Sequence, residues 1–148
     1  MLKRYTFWLW TVVVLLLLTT TVHTVGLVIP PSAANETERQ MLDLMMHYKL
    51  DLGAGFRPSM WDLFRSLSAC FSFLSVLSAM TIAFLLKKKA APELLKGVIA
   101  IHLLVFALAL VVMAFLTFLI PIVSIGLVVL CLAIGLITIP KHSVAEPG

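Results

Sequence analysis

Charge is scarce in this sequence: 12% of its 148 residues are Asp, Glu, Lys or Arg, against ~25% in soluble domains. So little polar side chain cannot clothe a water-facing surface, which excludes a soluble enzyme. With 61% hydrophobic residues and a mean hydropathy of +1.11, a disordered tail is excluded too. Cysteine is nearly missing. Cys70 and Cys131 are the two present, both inside apolar runs, with no C-x-x-C and no cysteine in a loop. That excludes a disulfide scaffold, a quinone-coupled thiol oxidoreductase and the animal four-span families built on loop disulfides. Buried packing is the ordinary role for such cysteines. A basic groove with interleaved aromatics is also lacking, so no nucleic-acid partner is expected.

What is abundant is apolar chain in runs long enough, at roughly 17–25 residues, to cross ~30 Å of hydrocarbon. Four such runs stand out, at about 7–29, 61–86, 97–118 and 122–139. The first is closed by Pro30 and Pro31, the second by Lys87, Lys88 and Lys89, and the last by Pro140 and Lys141. From Gly97 to Ile139 the only ionisable side chains are His102 and Cys131. As one helix that stretch would reach ~65 Å, twice a bilayer, so the chain must turn, and Pro121 with Ser124 marks the expected place. The expected fold is all-α: a single integral membrane four-helix bundle over residues 1–148.

Orientation follows from Lys and Arg. Lys3, Arg4, Lys87, Lys88, Lys89, Lys96 and Lys141 fall on one side of four spans. Arg39, Lys49, Arg57 and Arg65 fall on the other, with Glu36, Glu38, Asp43, Asp51 and Asp62. Seven cations against four puts both termini in the cytoplasm by the positive-inside rule. A competing reading makes residues 1–34 a signal peptide, with Lys3 and Arg4 as its basic start and Ser32, Ala33 and Ala34 before a cleavage point. Signal-peptide apolar cores run roughly 7–15 residues, and this one is longer, so retention is expected.

The outer loop, residues 30–60, is the one sizeable connection. Asn35 followed by Glu38 has capping-box form. From there to about residue 50, Met41, Leu42, Met45, Met46 and Tyr48 gather on one side and Glu38, Arg39, Asp43 and Lys49 take the polar positions. An amphipathic helix on the outer face is expected, lying among headgroups or across the mouths of the spans. Its Met41, Leu42, Met45 and Tyr48 are candidates for a lid or partner-docking face; a plain shielding helix is the simpler role. Residues 51–58 form a glycine-containing turn, too far from the phosphate-loop pattern to bind a nucleotide. Asn35-Glu36-Thr37 is a glycosylation sequon, meaningful only in a eukaryote.

Ionisable groups at membrane depth are costly and mark candidate sites. Ser59 and Asp62 read as an N-cap and its partner at the start of the second span, where Asp62 and Arg65 are spaced to pair locally. Trp61 suits an interfacial anchor. His23 shares a face with Thr19 and Gly26, flanked by Thr20 and Thr24, in the same outer half of the bilayer as Arg65. His23, Trp61, Asp62 and Arg65 are therefore the candidate ligand-binding residues, with a hydrogen-bonded structural role as the alternative for each. His102 belongs to the cytoplasmic half, and with no supporting carboxylate the two histidines make a poor metal site. Small residues repeat along the spans: Ser68, Ala69, Ser72, Ser75 and Ala79 on the second, Ala100, Ala107 and Ala114 on the third, Gly126, Cys131, Ala133 and Gly135 on the fourth. Such stripes let helices approach closely in lipid.

His23-Thr24-Val25-Gly26 resembles the H-T-x-G of a small, uncharacterised bacterial four-span membrane protein family. Residues 45–73, centred on Ser59-Met60-Trp61-Asp62-Leu63-Phe64-Arg65, resemble that family's second block, an aromatic-rich start to helix two after a Met-containing outer loop. The likeness covers about a third of the chain. It departs at Ser66 and Ser68, where the family commonly carries glycine. The resemblance implies four spans in a bacterial plasma membrane and draws attention to His23, Trp61, Asp62 and Arg65; it implies no activity.

Two function classes are carried forward. One is a binding or accessory protein that packs against a membrane partner, pairs with its own kind, or holds a membrane lipid or lipid-like molecule near the outer leaflet. The other is a small membrane enzyme or proton-coupled transporter using His23, Asp62 and Arg65. The first is preferred, because no nucleophile has a paired base, no cofactor is implied, and four short helices leave little room for alternating access.

Overall fold

A computed structural model describes residues 4–29 and 31–140. Lys3, Pro30 and Lys141, which bound the runs in the sequence, lie outside the described residues. All regular structure among those described is helical: α1 (Arg4–Val28), α2 (Glu36–His47), α3 (Met60–Lys87), α4 (Pro92–Leu116) and α5 (Leu119–Thr138). The four other than α2 are long and apolar enough to cross a membrane, as a multi-pass protein requires.

The helix ends follow local chemistry. Asn35 caps α2, its side chain accepting from the Glu38 N–H at 2.9 Å, while the Glu38 carboxylate reaches back to the Ala34 N–H at 2.7 Å. α2 stops at His47 rather than running to residue 50, with the Tyr48 N–H closing onto the Leu44 carbonyl. At the end of α3, Lys89 takes a left-handed backbone (φ 50°) and the Ala90 N–H bonds the Leu85 carbonyl at 3.0 Å. This is a helix stop of the kind glycine usually makes, and Pro92 follows it as the first residue of α4.

The turn between the last two spans is not at Pro121 and Ser124. It falls at Thr117 and Phe118, and Pro121 is the third residue of α5. In a first helical turn the proline's missing N–H has no intrahelical partner to lose. Ser124 is equally quiet, donating to the Ile120 carbonyl at 3.0 Å. The same tolerance of proline lets α4 begin at Pro92, so Gly97 lies inside the helix.

The chain divides into two compact units, one drawn from Met1–Thr19 and Ser75–Gly148, the other from Thr20–Leu74. In the first, Leu9, Leu16, Ile82, Ile99, Val128 and Leu132 are among the fully buried side chains. Here α4 packs on α5. The packing side of α4 carries Leu95, Ile99 and Phe106, whereas Ala100 and Ala114 are exposed. Ala107, midway along the small-residue stripe expected on this helix, is half-buried, and the buried residues of α4 are bulky ones. Gly135 does permit a close approach, since a Cβ there would stand 2.7 Å from Leu9 Cδ2 and 3.2 Å from Leu9 Cγ. Gly126 has open space around it. Cys131 is buried among these helices, but Cys70 is exposed.

The second unit has a different interior. Its buried side chains among the described residues are hydroxyls, Thr20, Ser59, Ser68 and Ser72, and every buried apolar side chain among them belongs to the first unit.

Candidate functional site

Residues 49–59 close the outer loop back on itself. Gly53, Ala54 and Gly55 take successive left-handed conformations, with φ of 79°, 51° and 82°. Asp51 Oδ1 accepts the Gly53 N–H at 3.0 Å and steadies the entry to this turn. The returning chain then pairs: the Leu52 N–H bonds the Phe56 carbonyl at 3.2 Å, the Leu50 N–H bonds the Pro58 carbonyl at 2.9 Å, and Lys49 bridges to Ser59. The consequence is chemical. Lys49 is delivered to the start of α3.

That start is a reciprocal cap. Ser59 Oγ accepts the Asp62 N–H at 3.1 Å, and Asp62 Oδ2 accepts both the Ser59 N–H and the Ser59 hydroxyl at 2.9 Å. Lys49 Nζ then reaches the same Asp62 oxygen at 3.0 Å. The local Asp62–Arg65 pair expected from spacing does not form. Asp62 folds back over the helix end to its cap and to Lys49, away from the residue one turn ahead. Arg65 is exposed and makes no hydrogen bond or ion pair with any described residue.

Arg65 instead lines an open cleft of about 350 Å³ with Leu27, Asp62, Ser66 and Ala69. Its chemistry is one cation, one carboxylate already spoken for, a Ser66 hydroxyl that donates to the Asp62 carbonyl at 2.9 Å, and two apolar side chains. A second cleft, about 390 Å³, lies in the other unit, lined by Tyr5, Thr6, Leu85, Leu86 and Pro92 with Lys89.

The remaining candidates occupy other positions. His23 meets Phe71 edge-on, ring centroids 5.4 Å apart at 75°, and its neighbour Thr24 donates to Ser72 Oγ at 3.3 Å. Phe71 is six residues beyond Arg65, about 9 Å further along α3. His23 therefore sits below the cleft rather than in its lining. Trp61 is half-buried and stacks on Phe64 at 5.7 Å, outside the cleft lining as well. Along α2, Leu42 and Met45 are half-buried and Met41 is exposed; Tyr48, just past the helix at its C-cap, is exposed as well.

Sequence reasoning misses the Lys49–Asp62 tie. The glycines of the turn are visible, but a period or motif carries no sign that Lys49 and Ser59 become neighbours. No protein-family model, curated protein or solved structure matches this chain.

Proposed function

We propose that this is a binding or accessory protein of the bacterial plasma membrane, with both termini cytoplasmic, which holds an anionic lipid-like molecule at the outer end of α3. One observation carries the reading: Arg65 has no partner among the described residues, because Lys49 and the Ser59 cap already occupy Asp62. The cleft mouth therefore offers a net positive site. A guanidinium matches a phosphate in charge and in its planar fork of donors. Leu27 and Ala69, lining the same cleft, suit the apolar part of an amphiphile.

The seven-to-four distribution of Lys and Arg supports this orientation. The resemblance carried by residues 23–26 and 59–65 points to a bacterial source. α2 buries none of its residues and bears Met41 and Leu44 exposed three residues apart, with Tyr48 exposed at its C-cap. In the headgroup region those side chains would rest on the bilayer surface and roof the site. Acid–base chemistry is the weaker reading, because Asp62 is engaged and His23 lies about two turns deeper than Arg65.

Native mass spectrometry of the full chain released from nanodiscs of mixed phosphatidylglycerol and phosphatidylcholine tests this. Preferential retention of phosphatidylglycerol, lost several-fold in Arg65→Gln, is the expected result. Equal retention of the two lipids in the wild type would overturn the anion site, and a co-purifying stoichiometric protein in its place would make the mouth a protein-docking surface.

A further inference from the structure

Hydroxyls within an apolar helix ordinarily satisfy themselves on the carbonyl four residues back. This chain does so repeatedly: Thr11 on Phe7 at 3.0 Å, Thr81 on Leu77 at 2.8 Å, Ser124 on Ile120 at 3.0 Å and Thr138 on Ile134 at 2.7 Å. Histidines follow the same habit. His102 Nδ1 lies 2.8 Å from the Val98 carbonyl, and His47 Nδ1 lies 3.1 Å from the Asp43 carbonyl and 3.0 Å from the Asp43 carboxylate.

Thr20 and His23 depart from both habits. Thr20 is only 9% exposed, and its Oγ1 is buried with no hydrogen-bond partner among the described residues. The Nε2 of His23 is buried and unpartnered in the same way. The two residues are three apart on α1, so they lie on one face with Cβ atoms about 5–6 Å apart. Thr20 is eight residues, about 12 Å, from the Val28 end of α1, which on a membrane-spanning helix is hydrocarbon depth. An unsatisfied polar atom is costly there, and two neighbouring ones more so.

We propose that Thr20 Oγ1 and His23 Nε2 together hold one O–H oxygen inside the membrane, from a water molecule or from the hydroxyl of an amphiphile. An O–H oxygen both donates and accepts, so it satisfies the pair whichever imidazole tautomer is present. A bare carbonyl can only accept and serves one tautomer alone. Thr24 and Ser72 already bond each other and leave the neighbouring polar contact closed. The Phe71 ring, edge-on to the imidazole, holds His23 in place without competing for its nitrogen. This site is independent of the Arg65 cleft, which does not include Thr20 or His23 in its lining.

The test is nuclear magnetic resonance of the full chain with ¹⁵N-labelled histidine in lipid nanodiscs, the His23 signals being those lost in His23→Gln. In phosphatidylcholine, a lipid with no hydroxyl, a cross-peak between the Thr20 and His23 protons and water identifies water as the occupant. A cross-peak absent there but gained when diacylglycerol is added identifies an amphiphile hydroxyl. In either case Thr20→Val, which keeps the shape and removes the hydroxyl, is expected to shift the His23 Nε2 signal and abolish the cross-peak, and Thr20→Ser to restore both. No cross-peak in either lipid, or a His23 signal that Thr20→Val leaves unmoved, would overturn the proposal.

Discussion

Lys49 Nζ lies 3.0 Å from Asp62 Oδ2, joining the outer loop just past α2 to the first turn of α3 across 13 residues. Both side chains are about half exposed, so the pair itself is a weak source of stability, screened by salt. Its importance is in what it does to charge: it answers Asp62 and leaves Arg65 unanswered.

Lys49→Gln is accordingly expected to leave the thermal midpoint in detergent nearly unchanged while lowering phosphatidylglycerol retention. With Lys49 gone, Asp62 is free to offset Arg65 and the mouth loses one positive charge. Asp62→Ala should act in the opposite pattern. It removes the acceptor of the Ser59 N–H and hydroxyl, and so lowers the midpoint, yet retention by the folded fraction persists. Equal loss of retention in both variants would show that the mouth does not read net charge.

The loop turn makes a separate, backbone-level prediction. A methyl group added at Gly53 or Gly55 would meet nothing within 4 Å, so alanine there costs only the left-handed conformation, about 1–2 kcal/mol each. Ala54 already bears that cost at φ 51°. Gly53→Ala and Gly55→Ala should speed amide exchange at Leu50 and Leu52, whose N–H groups tie the loop together, and Ala54→Gly should slow it. A fast-exchanging Leu50 in the wild type would mean the loop is not closed as described.

How much of this is legible in the sequence depends on the range of the interaction. Spans are legible because hydrocarbon thickness fixes a run length. The caps at Asn35 and Ser59 are legible because their partners sit three residues away. The starts of α4 and α5 are less so: they lie five residues before Gly97 and three before Ile122, because proline opens a helix as readily as it ends one. The packing side of α4 is not legible at all. In water, periodicity separates inside from outside; in lipid both sides are apolar, and Leu95, Ile99 and Phe106 look no different from exposed Leu104 or Val111. Lys49–Asp62 requires three successive left-handed residues to bring it about, and no motif encodes that.

Among the described glycines, Gly135 is the one whose added Cβ would meet a neighbour within 4 Å. Leu9 is fully buried, and a Cβ at Gly135 would stand 2.7 Å from its Cδ2, so the two must shift against their neighbours. Gly135→Ala is expected to destabilise by about 1–3 kcal/mol, the usual cost of overpacking. Gly126→Ala, in open space on the same helix, should be neutral or slightly stabilising. Leu9→Ala removes the obstructing atoms, so the double variant should lose less than the sum of the two singles. Reversible unfolding in mixed micelles measures all four; strict additivity would mean Leu9 and Gly135 do not touch.

Topology can be read with single cysteines placed at Gln40 and at Lys88, in a chain whose Cys70 and Cys131 are replaced by alanine. Both positions are exposed, one on α2 and one just past the end of α3. They are separated by one span, so they must report opposite faces if α3 crosses the membrane. With seven cations on the side of Lys88 and four on the side of Gln40, a membrane-impermeant maleimide should label Gln40→Cys on intact cells and Lys88→Cys only on inverted vesicles. The reverse pattern would invert the protein, moving Arg65 to the cytoplasmic leaflet and with it the source of the proposed anionic ligand. Labelling of both from one side would mean that α3 does not span.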